Sequence, residues 1–167
     1  MSGIEPESLA CWYGRLAPAL VLYVRQWLDA AAAEDVVQEV FAKLMRQRRP
    51  PDAVQAWLFR AARHAALNAR RSQGRRSRHE AARATTQVDW FQADPAAMLD
   101  ARTAEATLAR LPDEQREVIV LRIWGQLGWQ AIADLVGRPV STTFSQYRSG
   151  LENLRQRLEQ PCRKPSD

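Results

Sequence analysis

Lysine is nearly absent from this chain of 167 residues. Of its 24 basic side chains only Lys43 and Lys164 are lysines, and the other 22 are arginines. Cysteine and histidine are as scarce: two of each, Cys11 and Cys162 near opposite ends, and His64 and His79. There is no Cys-x-x-Cys pair and no histidine at ligand spacing from a cysteine, which argues against a zinc site or any other metal. Two distant cysteines build no disulfide framework, which suits a reducing compartment. Long apolar runs are missing too. Leu16 to Val24 is nine residues and contains Pro18, well short of the roughly 20 needed to cross a bilayer. No basic segment precedes it, so a soluble, cytoplasmic protein without a membrane span is expected. Glycine-rich phosphate loops, Ser-His-Asp signatures and His-Glu-x-x-His are absent. His64 has neither a nucleophile pattern nor a carboxylate near it in sequence. No catalysis, no cofactor and no small-molecule substrate are therefore expected.

What the chain does have is helical periodicity, with no alternating strand-like stretches. Leu16, Leu20, Val24 and Trp27 share one face of a first segment, which Pro18 interrupts or restarts. Asp29 to Ala33 reads as a short connection. A second helix spans about 34–47, with Val36, Val37, Val40, Phe41 and Leu44 as its apolar stripe. The Arg48-Arg49-Pro50-Pro51-Asp52 stretch breaks it. A third helix spans about 53–71, with Val54, Trp57, Leu58, Ala61 and Ala65 facing inward. Small, polar and basic residues follow. A second helical block begins near Asp100. There Leu108 and Leu111 close one helix, Pro112 opens the next, and Val118, Ile119, Leu121, Ile123 and Trp124 make that next helix largely buried. The expected fold is all-α: two small helical domains, 1–76 and 101–160, joined by a flexible linker at 77–100 and followed by a tail at 161–167.

Two features point to function. The first lies between Trp129 and Leu158: a short helix to Val136, Gly137 as its C′ residue, a tight turn plugged by Val140, Ser141 as a plausible N-cap, and a long helix. This is helix-turn-helix spacing. The exposed face of the second helix offers Thr142, Ser145, Gln146, Arg148 and Ser149, side chains of the lengths that reach base edges and phosphates. A helical corner with a merely polar surface has the same pattern. The second feature is a charge contrast. Asp29, Glu34, Asp35 and Glu39 stand in a stretch without a base, while residues 60–83 hold eight arginines against Glu80. Asp35, Gln38 and Glu39 share one helix face and offer acceptors to a basic partner surface; a solvated face would look alike. A GC-rich genome accounts for the arginine bias but not for this clustering, which suits a phosphate backbone.

Taken together, these segments resemble the extracytoplasmic-function group of bacterial sigma factors. Glu34-Asp35-Val36-Val37-Gln38-Glu39-Val40-Phe41 is similar to that family's region 2.2, and Ala56-Trp57-Leu58-Phe59-Arg60-Ala61-Ala62-Arg63 to its region 2.3 into 2.4. Leu111-Pro112-Asp113-Glu114-Gln115-Arg116-Glu117-Val118, with Ile132-Ala133-Asp134-Leu135-Val136-Gly137, is similar to region 4. The resemblance implies that 1–76 docks on the polymerase clamp and reads the −10 element, and that 101–160 reads the −35 element. It implies polymerase contacts at Asp35, Gln38, Glu39 and Phe41. On the −10 side it implies DNA contacts at Arg60, Arg63, His64, Asn68, Arg70 and Arg71. On the −35 side these are Thr142, Thr143, Ser145, Gln146, Arg148 and Ser149. Core RNA polymerase, promoter DNA and an anti-sigma factor or other protein antagonist are the implied partners, and a base-capture loop falls at about 47–54. The chain departs from the family's common residues at His64 (commonly Asn), Phe144 (commonly small or basic) and Gln146 (commonly Arg). Two other readings stay open: a stand-alone helix-turn-helix regulator, which explains residues 128–159 alone, and a helical protein that mimics a sigma factor.

Overall fold

In the computed structural model the described residues are 4–77 and 107–159. The chain divides into two compact units, Met1–Val88 and Asp89–Asp167. Both are helical, and no strand occurs among the described residues. The expected linker, apart from Ser77, lies outside the described residues, as does the expected tail.

The first unit packs three helices, α1 (Pro6–Val24), α2 (Ala30–Met45) and α3 (Val54–Ser77). Pro6 opens α1, where its missing N–H costs nothing. The helix runs on through Pro18, whose ring lies on the exposed side one turn after Gly14. The second helix starts earlier than expected. Asp29 is its N-cap and accepts from the Ala32 amide at 2.8 Å. The alanines that follow it are strong helix formers, so the stretch read as a connection is the first turn of α2.

Leu16, Leu20, Tyr23 and Val24 of α1 meet Val36, Val37, Val40, Phe41 and Leu44 of α2 in the core. From α3 the core takes Leu58, Phe59, Ala62 and Ala66, not the expected set of Val54, Trp57, Leu58, Ala61 and Ala65. The inward face is thus turned by about one residue, or about 100°. Phe59 explains the turn. It is fully buried, packs edge-on to Tyr23 at 5.4 Å, and removes more apolar surface from water than an alanine can.

The second unit contains α4 (Asp113–Ile123), α5 (Trp129–Val136) and α6 (Val140–Glu159). Leu108, Leu111 and Ile119 form a buried cluster on which Trp124, Tyr147 and Leu154 pack. Ile123, expected to be buried, is exposed at the end of α4. Gly137 closes α5 in the left-handed conformation, φ 70°, and its amide donates to the Ala133 carbonyl at 2.9 Å. Two expectations about the turn need correction. Val140 is exposed and does not plug it. Ser141 is no cap but the second residue of α6, because the helix already starts at Val140 and the Pro139 carbonyl accepts from the Thr143 amide at 3.0 Å. No described helix is long and apolar enough to cross a membrane.

Candidate partner and nucleic-acid interfaces

On α2 the exposed face carries Asp35, Gln38 and Glu39, as the i, i+3, i+4 spacing requires. Glu39 also accepts from Lys43 Nζ at 2.8 Å, one turn on. Both side chains are largely in solvent, so the pair adds little stability. Phe41 does not belong to this surface. It is 4% exposed and meets the ring of Tyr13 edge-on at 4.9 Å, so its ring serves the core between α1 and α2. Tyr13 is itself exposed and was not singled out by its spacing, since an aromatic on an amphipathic helix reads as core. A groove of about 380 Å³ runs beside the acidic face, lined by Tyr13, Pro18 and Val21 of α1 and Glu34, Val37 and Gln38 of α2.

The turn of α3 decides which of its polar residues are presented. Arg60, His64, Asn68 and Arg71, at spacings of four, four and three, form one exposed stripe. At 100° per residue this stripe lies opposite Leu58, Phe59, Ala62 and Ala66. Arg63 is half-buried on its flank, and Arg70, seven residues on, is exposed there. Four of the six expected residues therefore share one face, and Arg63 and Arg70 stand together on the side between that face and the core. Of the eight clustered arginines, Arg78 and Arg83 lie outside the described residues. The connection from α2 to α3, where base capture was expected, exposes Gln47, Arg48, Arg49 and Pro50.

In the second unit, α5, the turn at Gly137 and α6 make the helix-turn-helix. Side-chain links hold it on α4. Arg138 Nη2 donates to Glu114 Oε1 at 2.7 Å, and Asn153 Nδ2 donates to Gln115 Oε1 at 2.8 Å. Along α6, Thr143 and Gly150 are buried and Tyr147 and Leu154 half-buried, which defines the inner face. Thr143 is wholly buried, and its hydroxyl donates to the Pro139 carbonyl at 3.0 Å. A side chain so placed ties down the start of α6 and cannot reach DNA, so its assignment as a base-reading residue is corrected. Thr142, Ser145, Arg148 and Ser149 are exposed, and Gln146 is half-buried at the edge. Exposed residues outside the expected set include Ser141 and Phe144, with the aliphatic Val140 and Leu151 on the same side. The signal for Ser141 was available: counting helical turns back from Arg148 and Ser145 puts it on their face. Hydroxyls and a guanidinium on one helix flank suit the acceptors and donors of a major groove. No group of His, Cys, Asp and Glu among the described residues could hold a metal ion.

Comparison with known proteins agrees in both halves. Residues 12–76 match the family Sigma-70 region 2, and residues 101–154 match Sigma-70, region 4. The chain is 31% identical over 155 residues to the RNA polymerase sigma-H factor of Pseudomonas aeruginosa, covering 84% of this chain and 80% of that one. It is 27% identical over 164 residues to the ECF RNA polymerase sigma factor SigK of Mycobacterium ulcerans, covering 93% and 88%. The fold is shared with the sigma factor RpoE in its complex with the anti-sigma factor NepR from Bartonella quintana. That match has a TM-score of 0.75 and 20% identity and covers 92% of this chain and 98% of that one. CnrH in complex with the cytosolic domain of CnrY matches at a TM-score of 0.62 and 21% identity, over 93% and 90%. A stand-alone regulator would leave the region 2 match without explanation. With both regions present, in order, the chain belongs to the extracytoplasmic-function group of RNA polymerase sigma factors, non-enzymatic proteins that direct promoter-specific initiation of transcription.

Proposed function

We propose the following division of labour for this sigma factor. The face of Asp35, Gln38 and Glu39 docks on a basic surface of core RNA polymerase. The stripe of Arg60, His64, Asn68 and Arg71, flanked by Arg63 and Arg70, engages −10 DNA. Thr142, Ser145, Arg148 and Ser149, with Gln146 at the edge, read the −35 side. The observation that carries this reading is the segregation of charge within the first unit: on the face of α2 the acidic and amide side chains of Asp35, Gln38 and Glu39 with one base, Lys43, paired to Glu39, and on α3 the arginines. One surface repels DNA and the other attracts it, so each suits a different partner. The guanidiniums supply salt-dependent affinity, and the short polar side chains of α6 supply base discrimination at little charge.

The protein works in the cytoplasm, where polymerase and promoter are. The shared fold with RpoE bound to NepR and CnrH bound to CnrY supports control by a protein antagonist of the same kind. Run-off transcription with core polymerase on a library of genomic fragments tests the reading. The expected result is a small set of transcripts starting downstream of a common two-part sequence. Binding of duplex DNA with equal specificity in the absence of polymerase would count against it.

A further inference from the structure

Phe144 is the aromatic ring on a helix face that also carries Ser141, Ser145 and Arg148 and the exposed aliphatic side chains Val140 and Leu151, and at 43% it is the most exposed of the three apolar residues there. Its place is fixed from the protein side. Trp129 of α5 meets it edge-on, with ring centroids 5.1 Å apart and planes at 82°. Trp129 is in turn held by Tyr147, also edge-on at 5.1 Å, and by the guanidinium of Arg122, 4.7 Å from its ring centroid. Arg122 is anchored by its Nη1, which donates to the Leu127 carbonyl at 2.8 Å. Phe144 thus rests edge-on against an aromatic and cationic shelf, with its outer side open. At 100° per residue it lies about 40° from Arg148 and about 60° from Ser141, on the border of the outward face.

Resting on the assignment of α6 to the −35 side, we propose that Phe144 is a further specificity-determining residue, which reads the C5-methyl group of a thymine in the major groove. A phenyl ring makes no strong hydrogen bond to base edges. The apolar group that a major-groove edge offers it is the thymine methyl. The contact with Trp129 behind the ring limits its torsional freedom before binding, which lowers the ordering cost that opposes the contact. A ring whose sole task was to cover Trp129 would gain by closing over it, yet nearly half of its surface is in water. Neighbouring Arg148 and Ser141 supply the polar contacts that set the register along the groove.

The test is a deoxyuridine scan of the upstream element of a promoter found by run-off transcription. Each thymine is replaced in turn by deoxyuridine, which lacks that methyl group alone, and holoenzyme binding is measured. The wild-type holoenzyme should lose about fourfold in affinity at one position, the size expected for one buried methyl group. Phe144→Ala should be indifferent at that position, and Phe144→Leu should keep part of the preference. Both variants should co-elute with core polymerase as the wild type does, which shows that they are folded. A flat scan for the wild type overturns the proposal, as does a position that stays equally sensitive in Phe144→Ala. If binding ignores replacement of the whole upstream element, the assignment of α6 falls as well. If the element matters and the scan is flat, Phe144 alone was misassigned.

Discussion

Gly150 of α6 lies so close to Ile119 of α4 that a Cβ at the glycine would stand 2.7 Å from Ile119 Cδ1, and 3.2 Å from Gln115 Cβ. Ile119 is fully buried, so turning its Cδ1 aside presses on the core around it. One residue position therefore sets how near the recognition helix comes to its support. Gly150→Ala should destabilise the protein, since overpacking of about 1–3 kcal/mol outweighs the roughly 1 kcal/mol that alanine gains in a helix. Gly14 in α1 is the matched control, because a Cβ there meets nothing within 4 Å. Gly14→Ala should stabilise by about 0.5–1 kcal/mol. Denaturant unfolding of the full chain decides both, and opposite signs are the expected outcome.

Reversing the acidic face should separate folding from docking. Asp35→Arg with Glu39→Arg places two cations on α2 and leaves Lys43 without its partner, a loss of under about 1 kcal/mol for an exposed pair. Helix content by circular dichroism should be unchanged while co-elution with core polymerase on gel filtration disappears. Undiminished co-elution would remove α2 from the docking surface.

The basic stripe makes a prediction about salt. Replacing Arg60 and Arg71 by glutamine should flatten the dependence of holoenzyme–promoter affinity on salt by roughly one unit of slope for each lost phosphate contact. The choice among upstream sequences should stay the same. Altered preference with an unaltered slope would mean that these arginines read bases.

Thr143 and Ser145 stand two residues apart on α6 and should behave oppositely. Thr143→Val removes a buried hydroxyl that donates to the Pro139 carbonyl, so stability should fall by about 0.5–1.5 kcal/mol with the upstream preference kept. Ser145→Ala should leave thermal stability within about 0.5 kcal/mol and change upstream discrimination. Promoter competition assays together with melting curves measure both quantities.

Where local chemistry decides, the chain was readable before its structure. Trp129–Val136 was expected and found with the same limits, because Gly137 marks the left-handed end of that helix. The exposed face of Asp35, Gln38 and Glu39 also followed from spacing alone. Errors arose where two local signals competed. Ser141 has the chemistry of a cap, but Val140 follows a proline and starts the helix two residues sooner. On α3, Trp57 and Phe59 both offer an aromatic to the core, and only packing against Tyr23 selects Phe59. Alanine on nearly every side of that helix leaves the period faint. Thr143 and Phe41 were misplaced for a related reason. A motif names consecutive residues, while a helix sends consecutive residues in different directions.

The inner face of α6 carries a further implication for how such a protein can change. Thr143, Tyr147, Gly150 and Leu154 hold the helix in place, whereas Ser141, Ser145 and Arg148 take no part in that packing. Substitutions in the second group are thus nearly free of folding cost. A lineage, or an engineer, can redirect the protein to new genes through those positions while the scaffold stays intact. The glycine and threonine beneath them are the part that cannot drift.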